Sequence, residues 1–247
     1  MKLYYKDDFS TLLQGDCIEV MTKMVEKGLK FDAIISDPPY GTTACKWDTI
    51  IPFDKMWSRL NNLRKDNSPI ILFGSEPFSS LLRCSNLKEF KYDWIWNKKK
   101  GGSPLTAKLQ PIKIFEIVSV FGKGKINYFP EMEKRDKIKF RGSNKGTVSE
   151  TTNNAFTENK SYEFKYPKAI IEFSNASQLN KFHPTQKPLE LMEYLIKTYT
   201  NENDIILDFT CGSGTTLVAS KKLNRKCYGI ELEEKYCEIT KNRLLDI

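Results

Sequence analysis

FDAIISDPPYGT, residues 31–42, is the stretch on which the reading of the chain turns. It opens as a near-continuous apolar run, FDAIIS (31–36), the pattern of a short strand buried on both faces of a sheet. The run ends on a carboxylate, two prolines and an aromatic. Two prolines fix φ and remove two backbone donors, and the residue before a proline is held extended. Asp37, Pro38, Pro39 and Tyr40 therefore form a stiff rim whose prolines present carbonyls without a competing N–H. The Asp37 carboxylate and the Pro38 carbonyl can face one cleft. An exocyclic –NH₂ has two hydrogens to donate and needs two such acceptors. Tyr40 supplies a flat face on which an unstacked base can rest. A plain turn after a buried strand, with Tyr40 merely packing, is the blander reading of these four residues taken alone.

Outward from this stretch, strand patterns alternate with helical ones. LLQGD (12–16) reads as a strand end, and CIEVMTKMV then carries apolar residues at 18, 21 and 25 on one helical face. FDKMWSRLNNL (53–63) has a helical period, and PIILFG (69–74) is a second buried strand. FKYDWIWN (90–97) and IFEIVSVF (114–121) alternate, as a hairpin pair at a sheet edge would. After a polar stretch, KAIIEFS (168–174) is a short strand and PLELMEYLIKTY an amphipathic helix. DIILDFT (204–210), GTTLVASKKL, CYGIEL (227–232) and EKYCEITKNRLL close the chain as strand, helix, strand, helix. Such alternation predicts a mostly parallel sheet covered on both faces. Its ligands bind beyond the carboxyl ends of the strands, where GD, SDPPY, FGS, DFTCGSG and GIEL collect.

DFTCGSGTT (208–216) lies between a strand and a helix. Gly212 and Gly214 allow a tight turn and close approach to a ligand, and the helix start offers free N–H groups. Asp208 can accept from a ligand or orient the loop. Glu231, about 17 residues beyond Gly214, ends the next strand, where a carboxylate can hold both ribose hydroxyls. The third glycine of a dinucleotide fingerprint is absent, since residue 217 is Leu. The loop fits an adenosine-containing ligand that need not carry a pyrophosphate.

The chain's 247 residues suit one large α/β domain with an insertion, and its 40% hydrophobic and 28% charged residues are those of an ordinary globular protein. The net charge of +8 is uneven: residues 97–146 carry +9 and the remainder −1. A local basic surface is the footprint of a polyanion binder. The six cysteines, at 17, 45, 84, 211, 227 and 237, form no C-x-x-C, and His183 is the one histidine, so no metal site is expected. The apolar runs are too short to span a bilayer, and MKLYYKDDFS lacks a signal-peptide core. A cytoplasmic location is the expectation. From about 123 to 166 the composition turns to Ser, Thr, Asn and Gly, as in GSNKGTVSETTNNAFTENKS, and reads as an irregular insertion.

Together, DPPY and DFTCGSGTT resemble the amino-type DNA methyltransferases that use S-adenosyl-L-methionine to methylate adenine N6 or cytosine N4. The order, with DPPY first, then a variable region, then HPTQKP and the glycine loop, is similar to the circularly permuted beta class. LLQGDCIEVM, FDAIISDPPYGT, PIILFGS, FHPTQKPLELMEYLI, ILDFTCGSGTT and CYGIELEEKYCEI carry the likeness over nearly the whole chain outside 123–166. The resemblance implies a Rossmann-like fold with a mostly parallel seven-stranded sheet and helices on both faces. It implies one methyltransferase domain over 1–247, with 123–166 as an inserted target-recognition region. Asp37, Pro38, Pro39 and Tyr40 match the catalytic tetrapeptide. Asp208, Thr210, Cys211, Gly212, Ser213, Gly214 and Thr215 match the cofactor loop, and Glu231 the ribose-binding acid. Asp16 and Cys17 match the position beside the cofactor's adenine, and Lys187 one near the cofactor carboxylate. His183 belongs to the same motif as Lys187, with a structural role at a helix entry equally open. One departure is Thr210, where the family often has an aromatic; Phe209 stands one place earlier.

The implied activity is site-specific methylation of a flipped adenine in double-stranded DNA. Asp at the first position of DPPY favours adenine over the alternative, cytosine N4. The basic window becomes the DNA-contacting face, with Lys98, Lys99 and Lys100 beside the cleft and Lys134, Arg135, Lys137, Lys139 and Arg141 on phosphates. Monomer and homodimer are both open, as is a cognate restriction endonuclease. An oxidoreductase would share the glycine loop and Glu231 but has no use for DPPY. A non-catalytic nucleic-acid binder would need neither motif. A methyltransferase acting on RNA or on a protein amide would share the chemistry, and the basic insertion argues more strongly against the protein.

Overall fold

The computed structural model describes residues 1–42, 48–100, 107–141, 160–175 and 186–247. They divide into two compact units, Met1–Phe129 with Ala169–Ile247, and Pro130–Lys168.

In the larger unit the buried strands split their side chains between two cores, because successive residues of a strand point to opposite faces. In β3 (Ala33–Ser36), Ala33 and Ile35 enter one core and Ile34 the other. In β4 (Ile70–Gly74), Ile71 and Phe73 join the first core, Ile70 and Leu72 the second. Burial on both sides is what made these runs apolar throughout. The first face is covered by α4 (Leu189–Tyr199), α5 (Thr215–Lys222) and α6 (Glu234–Leu245), which supply Leu191, Leu195, Leu217 and Leu244. The second is covered by α1 (Cys17–Glu26), α2 (Phe53–Leu63) and α3 (Phe78–Ser85), with Met21, Leu60 and Leu82.

The other strands of this sheet are β1 (Lys2–Lys6), β2 (Ser10–Gln14), β5 (Phe90–Asn97), β6 (Phe115–Phe121), β9 (Ile170–Glu172), β10 (Ile205–Asp208) and β11 (Lys226–Glu231). Their order is β1-β2-β11-β10-β3-β4-β6-β5-β9. The seven strands that the resemblance implies form its centre; β9, the strand read at KAIIEFS, and β1 extend the two edges. Pairing is parallel from β2 through β4 and between β5 and β9, and antiparallel at β1–β2, β4–β6 and β6–β5. The β5–β6 pair is as expected, but β9 lies outside it, so the pair is not the sheet edge. Helix α3, which was not expected, begins after Pro77 and buries Phe78, Ser79 and Leu82.

At the centre, β3 and β10 lie side by side and parallel, Ile206 opposite Ala33. From β3 the chain runs through α2 to β4 on one side, and from β10 through α5 to β11 on the other. Such a divergence opens a crevice beyond the strand ends. DPPY leaves β3 on one side of it and the glycine loop leaves β10 on the other.

The smaller unit holds β7 (Glu133–Arg141) and β8 (Lys160–Lys165), paired antiparallel. Part of the insertion expected to be irregular is thus a strand pair. The segment GSNKGTVSETTNNAFTENKS lies mostly outside the described residues. No helix among the described residues is long and apolar enough to cross a membrane.

The start of α5 depends on a position that suits only glycine. Gly214 has φ +76°, and a Cβ there would stand 2.4 Å from Thr240 Cγ2. Gly214→Ala is expected to lower unfolding free energy by about 1–3 kcal/mol in urea melts. Adding Thr240→Ser, which removes the methyl but keeps the hydroxyl, is expected to recover only part of the loss. Unchanged stability for the single variant would contradict this account of the turn.

Candidate active site

The crevice is a cavity of about 580 Å³ within the larger unit. Its floor is set by one buried carboxylate. Asp208 ends β10, and its Oδ1 accepts from Ser36 Oγ (2.6 Å) and Thr210 N (3.2 Å), while Oδ2 accepts from Thr216 Oγ1 (2.5 Å). Its oxygens thus orient the loop, one of the two roles the sequence left open. Ser36 Oγ lies 2.7 Å from Thr210 Oγ1, which in turn donates to the Asp37 carbonyl (3.1 Å). The residue that departs from the expected aromatic is therefore the hydroxyl that joins the glycine loop to DPPY. Phe209 is fully buried in the second core.

The glycine turn is fixed from several sides. Glu231 Oε2 accepts from Gly212 N (2.9 Å) and Oε1 from Glu233 N (2.8 Å), which aims the carboxylate while leaving lone pairs for a ligand. Burial raises its carboxyl above the usual range. Thr240 Oγ1 donates to the Gly212 carbonyl at 2.9 Å. Ser213 Oγ donates to Gln186 Oε1 (3.2 Å), joining the loop to HPTQKP. Cys211 and Thr215 are buried beside it, and their cavity neighbours include Asp16 and Cys17. Asp16 caps α1 by accepting from Glu19 N (3.0 Å). Burial pushes the Cys17 thiol up to about 12, so it stays protonated.

On the other side, Tyr40 donates its hydroxyl to Asp37 Oδ1, and its ring stacks on Phe78 with centroids 5.1 Å apart. Asp37 Oδ2 accepts from Lys187 Nζ. Lys187 is only 8% exposed and reaches Glu116 Oε2 at 3.4 Å. Lys98 pairs with the other oxygen of Glu116. The structure thus places Lys187 on Asp37 and Glu116. Burial raises the Asp37 carboxyl, Lys187 pulls it back, Glu116 pushes it up again, and the net shift is upward. For Glu116 burial is outweighed by the two lysines and the net shift is downward.

Three residues of the site were missed by sequence reasoning. Ser36 and Glu116 are two. The third is Asp48, whose carboxylate accepts from the backbone N–H of Tyr40 (2.7 Å), Gly41 (2.9 Å) and Thr42 (2.9 Å). It fixes the backbone immediately after the two prolines.

Of the lysines expected on DNA, Lys98 turns into the cavity onto Glu116, and Lys99 pairs with Glu172 at 3.4 Å. Lys100 is exposed. In the smaller unit Lys134, Lys137 and Lys139 are exposed on β7, and Arg135 donates to the Phe164 carbonyl at 3.1 Å. Arg141 ends the same strand. His183 and Cys45 lie outside the described residues.

Burial also pushes the Asp208 carboxyl from 3.8 up to about 6, against the pull of its hydrogen bonds. A folded-state value above the unfolded one means that the folded protein binds the proton more tightly. That contribution to stability is fully present below about pH 4 and is lost as pH rises through about 6. Thermal melts of the wild type and Asp208→Asn, which does not titrate, are expected to diverge across this window, the wild type losing ground as pH rises. A difference that stays flat with pH would contradict the shift.

The N6_N4_Mtase family model, DNA methylase, matches residues 31–242. Type II methyltransferase M1.MboII of Moraxella bovis is 26% identical, over 93% of this chain and 94% of that protein. DNA adenine methyltransferase YhdJ of Escherichia coli (strain K12) is 26% identical, over 97% of this chain and 84% of its own. Among solved structures, the M1.HpyAVI–SAM complex superposes with a TM-score of 0.70 at 28% identity, covering 95% of this chain and 98% of that one. The PvuII DNA methyltransferase (cytosine-N4-specific) gives 0.69 at 16% identity, covering 99% and 89%, a likeness of fold alone. The family model spans most of the chain, and the chain belongs to the N6/N4 family of DNA methylases.

Proposed function

We propose that this chain transfers a methyl group from S-adenosyl-L-methionine to the exocyclic N6 amine of an adenine flipped out of a specific duplex DNA site. The observation that carries the reading is the meeting of Asp37, its stiff proline rim and the glycine loop in one cavity, tied together through Thr210.

The cavity suits the cofactor. Its volume of about 580 Å³ is that of a small-molecule site. Among the described residues it is lined by seven carboxylates (Asp16, Asp37, Asp48, Glu116, Asp208, Glu231 and Glu233) and two lysines (Lys98 and Lys187), an acidic setting that favours a cationic ligand. Glu231 would hold the ribose hydroxyls, with Asp16 and Cys17 beside the adenine. The bound cofactor supplies an electrophilic methyl on a sulfonium.

The chain's residues act on the amine. Flipping the target base costs a few kcal/mol, and Tyr40, with its ring plane held by Phe78, recovers part of that by stacking. The amine then displaces the Tyr40 hydroxyl from Asp37 Oδ1 and donates its second hydrogen to the Pro38 carbonyl. These bonds localise a lone pair otherwise spread into the ring and aim it at the methyl. As the N–C bond forms, the methyl–sulfur bond would break to leave a neutral thioether, and Asp37 is placed to take the proton released from the amine.

The adenine reading also rests on relatives such as YhdJ, named an adenine enzyme. The fold does not separate the two bases, since the PvuII cytosine-N4 enzyme shares it. The unit Pro130–Lys168, with its exposed lysines, serves as the target-recognition region in this proposal. The Type II names of several relatives support a restriction–modification setting for the activity.

Labelled cofactor and mixed-sequence duplex DNA, followed by nucleoside analysis, are expected to yield N6-methyladenine. N4-methylcytosine, or no label in DNA, would overturn the proposal. Asp37→Ala is expected to lose at least a hundredfold in turnover with cofactor affinity within a few-fold of wild type. Tyr40→Phe, which keeps the ring and removes only the displaced hydroxyl, is expected to stay active.

A further inference from the structure

Glu116 belongs to none of the motifs read from the sequence, yet it stands two groups away from the target amine. It lies on β6 opposite Trp96 of β5. Lys187 Nζ sits between its Oε2 and the Asp37 carboxylate, above the Phe73 ring at 5.1 Å and the Tyr40 ring at 5.9 Å. Lys98, from the end of β5, closes the chain on the other oxygen of Glu116. The order is Tyr40, Asp37, Lys187, Glu116, Lys98. Among the described residues, the charged groups that face Glu116 are thus Lys187, Lys98 and, across Lys187, Asp37.

An ammonium that served Asp37 alone would hold its carboxylate as a closed ion pair, a weak acceptor for an incoming amine. We propose that Glu116 is a positioning residue that divides the Lys187 ammonium with Asp37 and so keeps the Asp37 carboxylate open to the hydrogens of the target amine. Lys98 sets how much of Glu116 remains for Lys187. No bond to the substrate is made by Glu116 itself. The directions of titration agree: Glu116 is held low by two lysines and stays ionised, while Asp37 is raised in part by Glu116. Lys187 is raised by the two carboxylates despite its burial and stays charged.

The inference rests on the assignment of Asp37 above and is tested apart from it. Single-turnover methylation is followed against pH in the full-length protein, with cofactor affinity measured by calorimetry. Glu116→Gln, nearly isosteric, is expected to slow the methyl-transfer step roughly tenfold and to move the acid limb of its pH profile down by about one unit. Lys98→Met, which removes a cation, is expected to move that limb upward. A purely structural role would slow both variants without opposite displacements. Asp37→Asn serves as the control. If it is inactive while Glu116→Gln keeps the wild-type rate and limb, the positioning role is overturned and the assignment of Asp37 stands. If Asp37→Asn is active, the assignment itself fails.

Discussion

The cleft depends on a single carboxylate at its floor. Asp208 is buried, and Ser36, Thr210 and Thr216 donate to its two oxygens. Hydrogen bonds in such low-dielectric surroundings are strong, and a missing partner there is costly. The geometry is therefore set tightly. Through Ser36 and Thr210 it joins residues 173 positions apart, so that the glycine loop and the Asp37 carbonyl hold a fixed distance. The parallel pairing of β3 with β10 brings the two strand ends together, and the hydroxyls fix their relation.

The second constraint is electrostatic. The cavity carries more carboxylates than lysines, and the lysines stand on one side, against Asp37 and Glu116. On the side of the glycine loop and Glu231 the charged residues lining the cavity are carboxylates, while Arg243 holds the loop at Ser213 and Thr215 without lining the cavity. A ligand with a positive sulfur gains from that field, while the amine to be methylated meets a carboxylate whose own charge is partly balanced. One cavity thus supplies two electrostatic environments.

Much of this was legible in the chain. The central strands and five of the six helices among the described residues follow from apolar periodicity, and the loops that line the cleft are the residues just past the strand ends. The short α3 escaped because only Phe78 and Leu82 mark its buried stripe among serines. Edge strand β1 carries exposed, mixed residues and gives a weak pattern, whereas β9 lies within the strand read at KAIIEFS. Lys98 looked like part of a basic loop, but strand parity held the signal: it follows Trp94 and Trp96, both in the first core. Glu116 likewise shares parity with Val118 and Val120, and Asp37 with Ala33 and Ile35. Carrying the period of two beyond each strand end puts all three on one face. Asp48 had no such signal, because its role arises only where the fold brings it against the backbone of Tyr40, Gly41 and Thr42.

The account's central claim is that the glycine loop and DPPY form one site with a single bound geometry. A crystal structure with S-adenosylhomocysteine tests it most directly. The predicted result has both ribose hydroxyls on the Glu231 carboxylate, the adenine beside Asp16 and Cys17, and the sulfur turned toward Asp37 and Pro38. A ribose held by another acid, or a sulfur facing away from Asp37, would contradict it.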